Sequence, residues 1–138
     1  MQRRKSERGV TLIEMLVVIT IIGLIAGLVT VNVMRQGENA KRQIAKTQIG
    51  SFMNALSIYK LDTGVYPSTA QGLQALREKP AEMPNWAGPY LPKDVPLDPW
   101  ARPYEYKYPG EHGEDPDLIS LGPDGQPGGD DIVSWSNK

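Results

Sequence analysis

The sequence predicts an α+β fold, with one long N-terminal helix packed by a small C-terminal antiparallel β-sheet. Three observations predict it. From Met15 to Val31 seventeen consecutive residues carry no charge. Behind them, apolar residues recur at three- and four-residue spacing as far as Tyr59, the period of an amphipathic helix. After Gly64, proline and glycine exclude long regular elements, and three short apolar segments near the C-terminus read as strands.

The chain divides into three parts: a basic leader over 1–9, an apolar helical segment over 10–34 and a C-terminal domain over 35–138. Arg3, Arg4, Lys5 and Arg8 stand against Glu7 in the leader. With four of the 15 basic and one of the 16 acidic residues placed there, 11 basic and 15 acidic residues follow, a net charge of −4. An acidic domain argues against nucleic acid as a partner, because phosphate binding needs a basic face. Basic residues just ahead of an apolar helix place the N-terminus in the cytoplasm and the C-terminal domain outside it. Absence of cysteine excludes a disulfide, a zinc–thiolate site and a thiol nucleophile.

Residues 10–34 are long enough to span a bilayer, which takes about 20 apolar residues. Ile44, Ile49, Phe52, Met53, Leu56 and Tyr59 continue the helical period, with Lys41, Arg42, Lys46 and Lys60 mostly on other faces. Gly37 and Gly50 are its weak points, and Asp62-Thr63-Gly64 is a stop with Gly64 suited to a left-handed cap. One helix is therefore expected from about Thr11 to about Leu61. Gly23 and Gly27 form a Gly-x-x-x-Gly pair that permits close helix approach in a membrane, although apolar spans also tolerate glycine without that use.

Beyond Gly64, prolines recur at Pro67, Pro80, Pro84, Pro89, Pro92 and Pro96. A short helix is expected over Ala70–Glu78, capped by Ser68-Thr69. Strands are expected at Pro103–Tyr108, Asp117–Leu121 and Ile132–Trp135, the first two joined by a turn at Pro109–Gly113.

The junction Arg8-Gly9-Val10-Thr11-Leu12-Ile13-Glu14 is what an ordinary secretory signal or a plain anchor leaves unexplained. A signal peptide ends in a small-residue cleavage site after its apolar core, and Ala26-Gly27-Leu28 is a poor version of one. An unpaired Glu14 is costly in lipid, about 2.5–3.5 kcal/mol at a helix centre and less near its end, so a partner is required. Gly9 through Glu14 resembles the processing site of type IV pilin-like proteins. The resemblance implies cleavage between Gly9 and Val10 by a membrane prepilin peptidase, methylation of the new Val10 amine, and Glu14 as the fifth mature residue and the assembly residue. Members of that family most often have Phe at the first mature position, and Val10 departs from this. They also often carry a proline near the end of the span, whereas the matching region here reads Thr30-Val31-Asn32, so unwinding would rest on Gly23, Gly27 or Asn32.

Two further stretches, Tyr66–Leu76 and Asp98–Tyr104, resemble the branch of major pseudopilins of type II secretion systems, which usually has Gly where Ala101 stands. This similarity implies the type IV pilin-like fold. It also implies a helical homopolymer, the pseudopilus, that grows from the bacterial inner membrane into the periplasm and helps push folded proteins through an outer-membrane channel. Minor pseudopilins and an inner-membrane assembly platform are the implied further partners.

Leu121-Gly122-Pro123-Asp124-Gly125-Gln126-Pro127-Gly128-Gly129-Asp130-Asp131 gathers three carboxylates with four glycines and two prolines. Calcium takes six to eight oxygens of mixed carboxylate and carbonyl kind. The spacing matches neither an EF-hand nor a repeat-type calcium roll, and from spacing alone a solvated acidic turn is the favoured reading over a calcium site. Major pseudopilins carry a calcium site in this loop. Their resemblance implies Asp124, Asp130 and Asp131 as side-chain ligands of Ca2+, with Leu121 and Gln126 as carbonyl ligands.

His112, the only histidine, lies in a Pro-Gly-Glu-His-Gly turn without a nucleophile pattern and reads as a locally bonded turn residue beside the acidic edge of Glu111, Glu114 and Asp115. Trp86, Trp100 and Trp135 read as packing anchors. No catalytic residue is expected and the chain is not read as an enzyme. A structural subunit that polymerises and a monomeric membrane-anchored binding module both satisfy the residues. A true type IV or competence pilin is the nearer alternative, but such pilins often carry a cysteine pair that this chain lacks.

Overall fold

The structure, a computed structural model, describes residues 9–137. The leader residues Arg3, Arg4, Lys5 and Arg8, to which the charge argument for membrane orientation applies, lie outside the described residues. The chain divides into two compact units, the first ending at Gly37 and the second beginning at Glu38.

Helix α1 runs over Leu12–Thr63 and contributes to both units. It is unbroken at Gly23, Gly27, Gly37 and Gly50, so none of the weak points interrupts the hydrogen-bond ladder. It ends where Gly64, at φ +87°, donates its N–H to the Lys60 carbonyl at 2.8 Å, the left-handed cap that only glycine adopts without strain. In the first unit every residue from Gly9 to Thr30 is exposed. The hydroxyls of Thr20 and Thr30 turn back to the carbonyls of Leu16 and Ala26, at 2.7 and 2.8 Å, so the apolar stretch presents almost no unpaired polar side chain.

In the second unit α1 buries Ala45, Ile49, Phe52, Ala55, Leu56 and Tyr59. Ile44, expected on this stripe, is half exposed. It stands five residues before Ile49, about 140° away around the helix, whereas Ala45 stands four before it and shares its face. Strands β1 (Glu105–Lys107), β2 (Asp117–Ser120) and β3 (Ile132–Val133) form an antiparallel sheet in that order. Tyr106 opposes Leu118, and Ser120 opposes Ile132. Leu118 and Ile132 join the helix residues in one core with Tyr66, Leu73, Leu76, Leu91 and Tyr104. Phe52 and Tyr104 meet edge to face at 5.1 Å, and Tyr59 and Tyr90 at 5.5 Å, the offset geometry that ring quadrupoles favour.

Two expectations are corrected. The segment expected as a helix over Ala70–Glu78 is a five-residue 3-10 helix, Gly72–Leu76. Gly72 opens it at φ +59°, outside the right-handed helical region, and the prolines that follow leave no room for extension. The residue that caps it is Gln71, which makes no side-chain cap bond, and the expected Ser68-Thr69 cap instead closes the turn ahead of it, with the Ser68 N–H donating to Gln71 Oε1 at 2.8 Å and the Gln71 N–H to Ser68 Oγ at 3.3 Å. The third strand stops at Val133, and Ser134–Asn137 turns into a 3-10 helix. Ser134 Oγ accepts from the Leu118 N–H at 3.1 Å, a bond a continuing strand would have made with backbone. The turn lays the Trp135 indole flat on His112, ring centres 3.7 Å apart.

Candidate functional site

The first candidate region is the start of α1. Thr11 stands just ahead of the helix, and its Oγ1 accepts the Glu14 N–H at 3.3 Å while its carbonyl accepts the Met15 N–H at 3.1 Å. Threonine with glutamate three residues on is the capping-box spacing, a signal in the sequence that the pilin-like resemblance overshadowed. Glu14 thus occupies the first turn of a helix, where the partial positive charge of unpaired N–H groups favours a carboxylate. Among the described residues no ion pair reaches it. Gly9 and Val10 precede the cap, both exposed, so the bond between them is open to a peptidase. A cut there leaves a free amine one residue before the cap and four before Glu14. The helix that follows is long and apolar enough to cross a membrane.

The second candidate region is the loop 121–131, pinned at both ends by arginines that sequence reasoning did not single out. The Arg102 guanidinium donates to the Gly122 carbonyl at 2.5 Å and the Pro123 carbonyl at 3.5 Å. It also lies so close to Gly125 that a Cβ there would stand 2.5 Å from it, and Gly125 itself sits at φ +68°. At the other end Arg42, from α1, donates to the Asp130 carbonyl at 3.1 Å and pairs with Asp130 Oδ1 at 3.2 Å. Between these clamps, Asp124 Oδ1 accepts the Gln126 N–H at 3.1 Å and Asp131 Oδ2 accepts the Gly128 N–H at 3.1 Å.

Among the described residues no group of three His, Cys, Asp or Glu side chains stands together as a metal cluster, so Asp124, Asp130 and Asp131 are not gathered. One atom of the loop fits a cation all the same. Asp131 Oδ1 is buried and has no hydrogen-bond partner. A desolvated carboxylate oxygen without a donor is costly, and a hard cation is the partner its chemistry suits. Asp130, in contrast, is already engaged by Arg42. Leu121, half-buried, leads into the loop from β2, and Gln126 lies exposed at its tip.

Arg102 is itself positioned by a buried carboxylate. Asp98 Oδ1 accepts the N–H groups of Trp100 at 3.0 Å and Arg102 at 2.8 Å, and Oδ2 accepts the hydroxyl of the fully buried Ser120 at 2.7 Å. This turn places Ala101 at φ +64°, the left-handed conformation that glycine would adopt freely. Nearby, the Trp100 indole N–H bonded to Glu38 at 3.1 Å holds that carboxyl below its usual range. Burial acts to raise the carboxyl of Asp117, but the His112 imidazole at 2.9 Å and the Glu111 N–H at 2.8 Å outweigh it and hold it below the usual aspartate value. His112 is therefore a locally bonded turn residue, and Trp86 and Trp100 anchor packing through indole bonds to the Ala75 carbonyl and Glu38.

Residues 32–135 match the family model of type II secretion system (T2SS) protein G, and residues 4–30 match the prokaryotic N-terminal methylation motif. The type II secretion system core protein G of Pseudomonas aeruginosa is 46% identical over 142 residues, covering 98% of this chain and 99% of its own. The chain belongs to the type II secretion system protein G family. The protein G of Escherichia coli K12 is 45% identical over 139 residues, covering 98% and 95%. A crystal structure of the major pseudopilin of enterohaemorrhagic Escherichia coli aligns with a TM-score of 0.67 at 35% identity, covering 76% of this chain and 91% of that one. As a protein G family member the chain is a major pseudopilus subunit of type II secretion and not an enzyme. The resemblance read at Tyr66–Leu76 and Asp98–Tyr104 is borne out, both stretches lying inside the matched residues. The fold it implied is borne out as well. The methylation motif covers Gly9, Val10 and Glu14.

Proposed function

We propose that the mature chain begins at Val10, methylated on its amine after a prepilin peptidase cuts behind Gly9, and that it polymerises into a helical homopolymer from the bacterial inner membrane. The observation that carries this reading is the exposure of every residue from Gly9 to Thr30 together with a single carboxylate, Glu14, in the first helical turn. An apolar surface of that extent must be covered, by lipid before assembly and by other copies after it. The Val10 ammonium of the same or a neighbouring copy supplies Glu14 with a charge-assisted bond, which removes the cost of an unpaired carboxylate in a low-dielectric core. The domain 35–138 then lies in the periplasm, where the polymer, with minor pseudopilins and an inner-membrane assembly platform, drives folded proteins through the outer membrane.

The loop 121–131 is read as a calcium site. Asp124, Asp130 and Asp131 would hold the ion through carboxylate oxygens, and Leu121 and Gln126 through their carbonyls. Ca2+ there would supply a doubly positive centre to neutralise the loop's carboxylates.

Glu14→Ala tests the polymer reading. The mature mass should still show cleavage behind Gly9, because the variant removes only the pairing carboxylate, and electron microscopy should show no filaments. Normal filaments from Glu14→Ala contradict the pairing.

A further inference from the structure

The two arginine clamps on the loop differ in what they hold. Arg102 grips only carbonyl oxygens, those of Gly122 and Pro123. Arg42 grips Asp130 by both its carbonyl and its carboxylate. Asp131, the next residue, keeps Oδ1 buried without a donor. One of two adjacent carboxylates is thus paired with a guanidinium from α1, and the other, held at Oδ2 by the Gly128 N–H, keeps its Oδ1 without a donor.

We propose that Arg42 competes with the divalent cation for Asp130 and thereby sets the loop's calcium affinity, an inference that rests on the calcium reading above. Without the cation, Arg42 neutralises Asp130 and ties the loop to α1, so the end of the loop opposite Arg102 stays fastened. A doubly charged ion held by the loop would offer Asp130 more charge than the guanidinium does, and Arg42, one-third exposed, would swing to water at little cost. The loop therefore has two closed arrangements, one centred on Arg42 and one on the ion. Because Arg42 must be displaced, the ion binds less tightly than the oxygen set alone would allow. The pair is partly exposed, with Asp130 61% exposed, so its strength falls in the range of surface ion pairs and its effect on affinity is about two- to fivefold.

The experiment uses the full chain in detergent micelles, titrated calorimetrically with calcium chloride and unfolded thermally in chelator and in saturating calcium. Arg42→Gln is expected to bind calcium about two- to fivefold more tightly than the wild type. In chelator it should unfold at a lower temperature than the wild type, and in saturating calcium the two should unfold together. Arg42→Lys keeps the competing charge and should stay near wild type in affinity, which keeps the proposal falsifiable if the glutamine variant folds poorly. Unchanged or weaker binding by Arg42→Gln overturns the proposal, as does an equal loss of stability in both conditions, which would make Arg42 a strut indifferent to the ion. An affinity gain in Arg42→Lys that equals that of Arg42→Gln also overturns it. Absence of calcium binding by the wild type overturns the calcium reading and the competition together.

Discussion

Replacing Asp98 with alanine removes the carboxylate around which the 98–102 turn, Ser120 and Arg102 are arranged. Three donors lose their acceptor: the Ser120 hydroxyl at 2.7 Å, the Arg102 N–H at 2.8 Å and the Trp100 N–H at 3.0 Å. Hydrogen bonds to a charged group contribute about 1.5–3 kcal/mol each, more than neutral ones. Ser120 is fully buried, so its bond counts in full, while water reaches the turn N–H groups once the carboxylate is gone, which lowers their share to about 1 kcal/mol each. The expected loss is about 3–5 kcal/mol, at the upper end of single substitutions. For a domain of about 100 residues, 3 kcal/mol lowers the midpoint by at least about 12 °C. Near-ultraviolet circular dichroism reads this unit alone, because every tryptophan and tyrosine of the chain lies after Gly37. The unfolding should be followed in chelator, so that any ion in the neighbouring loop does not contribute. A loss below about 1 kcal/mol would refute the reasoning, since it would mean that the three donors find equal partners without the carboxylate.

Other outcomes follow from the same turn and its surroundings. Ala101→Gly should stabilise the domain by about 0.5–1 kcal/mol, the relief of a left-handed alanine less the added freedom of the unfolded chain, as read from the thermal midpoint. Asp117 has a lowered folded-state value, so its contribution is complete above the ordinary aspartate value of about 3.9 and is lost as pH falls through the lowered one. Wild-type stability should therefore fall more steeply below pH 4 than that of Asp117→Asn, and parallel curves would contradict the assignment. Calcium at a hundredfold excess over its dissociation constant should add about 2.7 kcal/mol of stability. Asp131→Ala should abolish that gain, because it removes the oxygen left without a partner.

The parts of this molecule that the sequence disclosed are those with a short period. Helix α1 was legible because its apolar residues repeat along one stripe and Gly64 supplies the cap, and β1 because Tyr104, Tyr106 and Tyr108 alternate with charged residues. Ile44 was misplaced because membership of a face changes with a single residue's rotation of 100°. The 3-10 geometry after Gln71 followed from the positive φ of Gly72, which composition does not reveal. The clamps on the loop were illegible for a different reason. Arg42 meets Asp130 across 88 residues and Arg102 meets Gly122 across 20, and no local pattern specifies which of several arginines will arrive. The aspartates of the loop were visible as a cluster, but the engagement of Asp130 by one arginine, with Asp131 Oδ1 left without a donor beside it, is a property of the folded chain.

Side-by-side packing of the apolar helical halves decides whether the chain works as a polymer. The native sequence has no cysteine, so a single cysteine introduced at one position at a time over 21–28 is an unambiguous reporter. Oxidation of such variants of the full chain in its native membrane, read as disulfide-linked dimers on a non-reducing gel, should give dimers at positions three or four residues apart. The same positions should fail to cross-link when Glu14 is replaced by alanine. Monomers at every position, or cross-linking that is uniform along the segment and indifferent to Glu14, would contradict an assembly built on this helix and its one carboxylate.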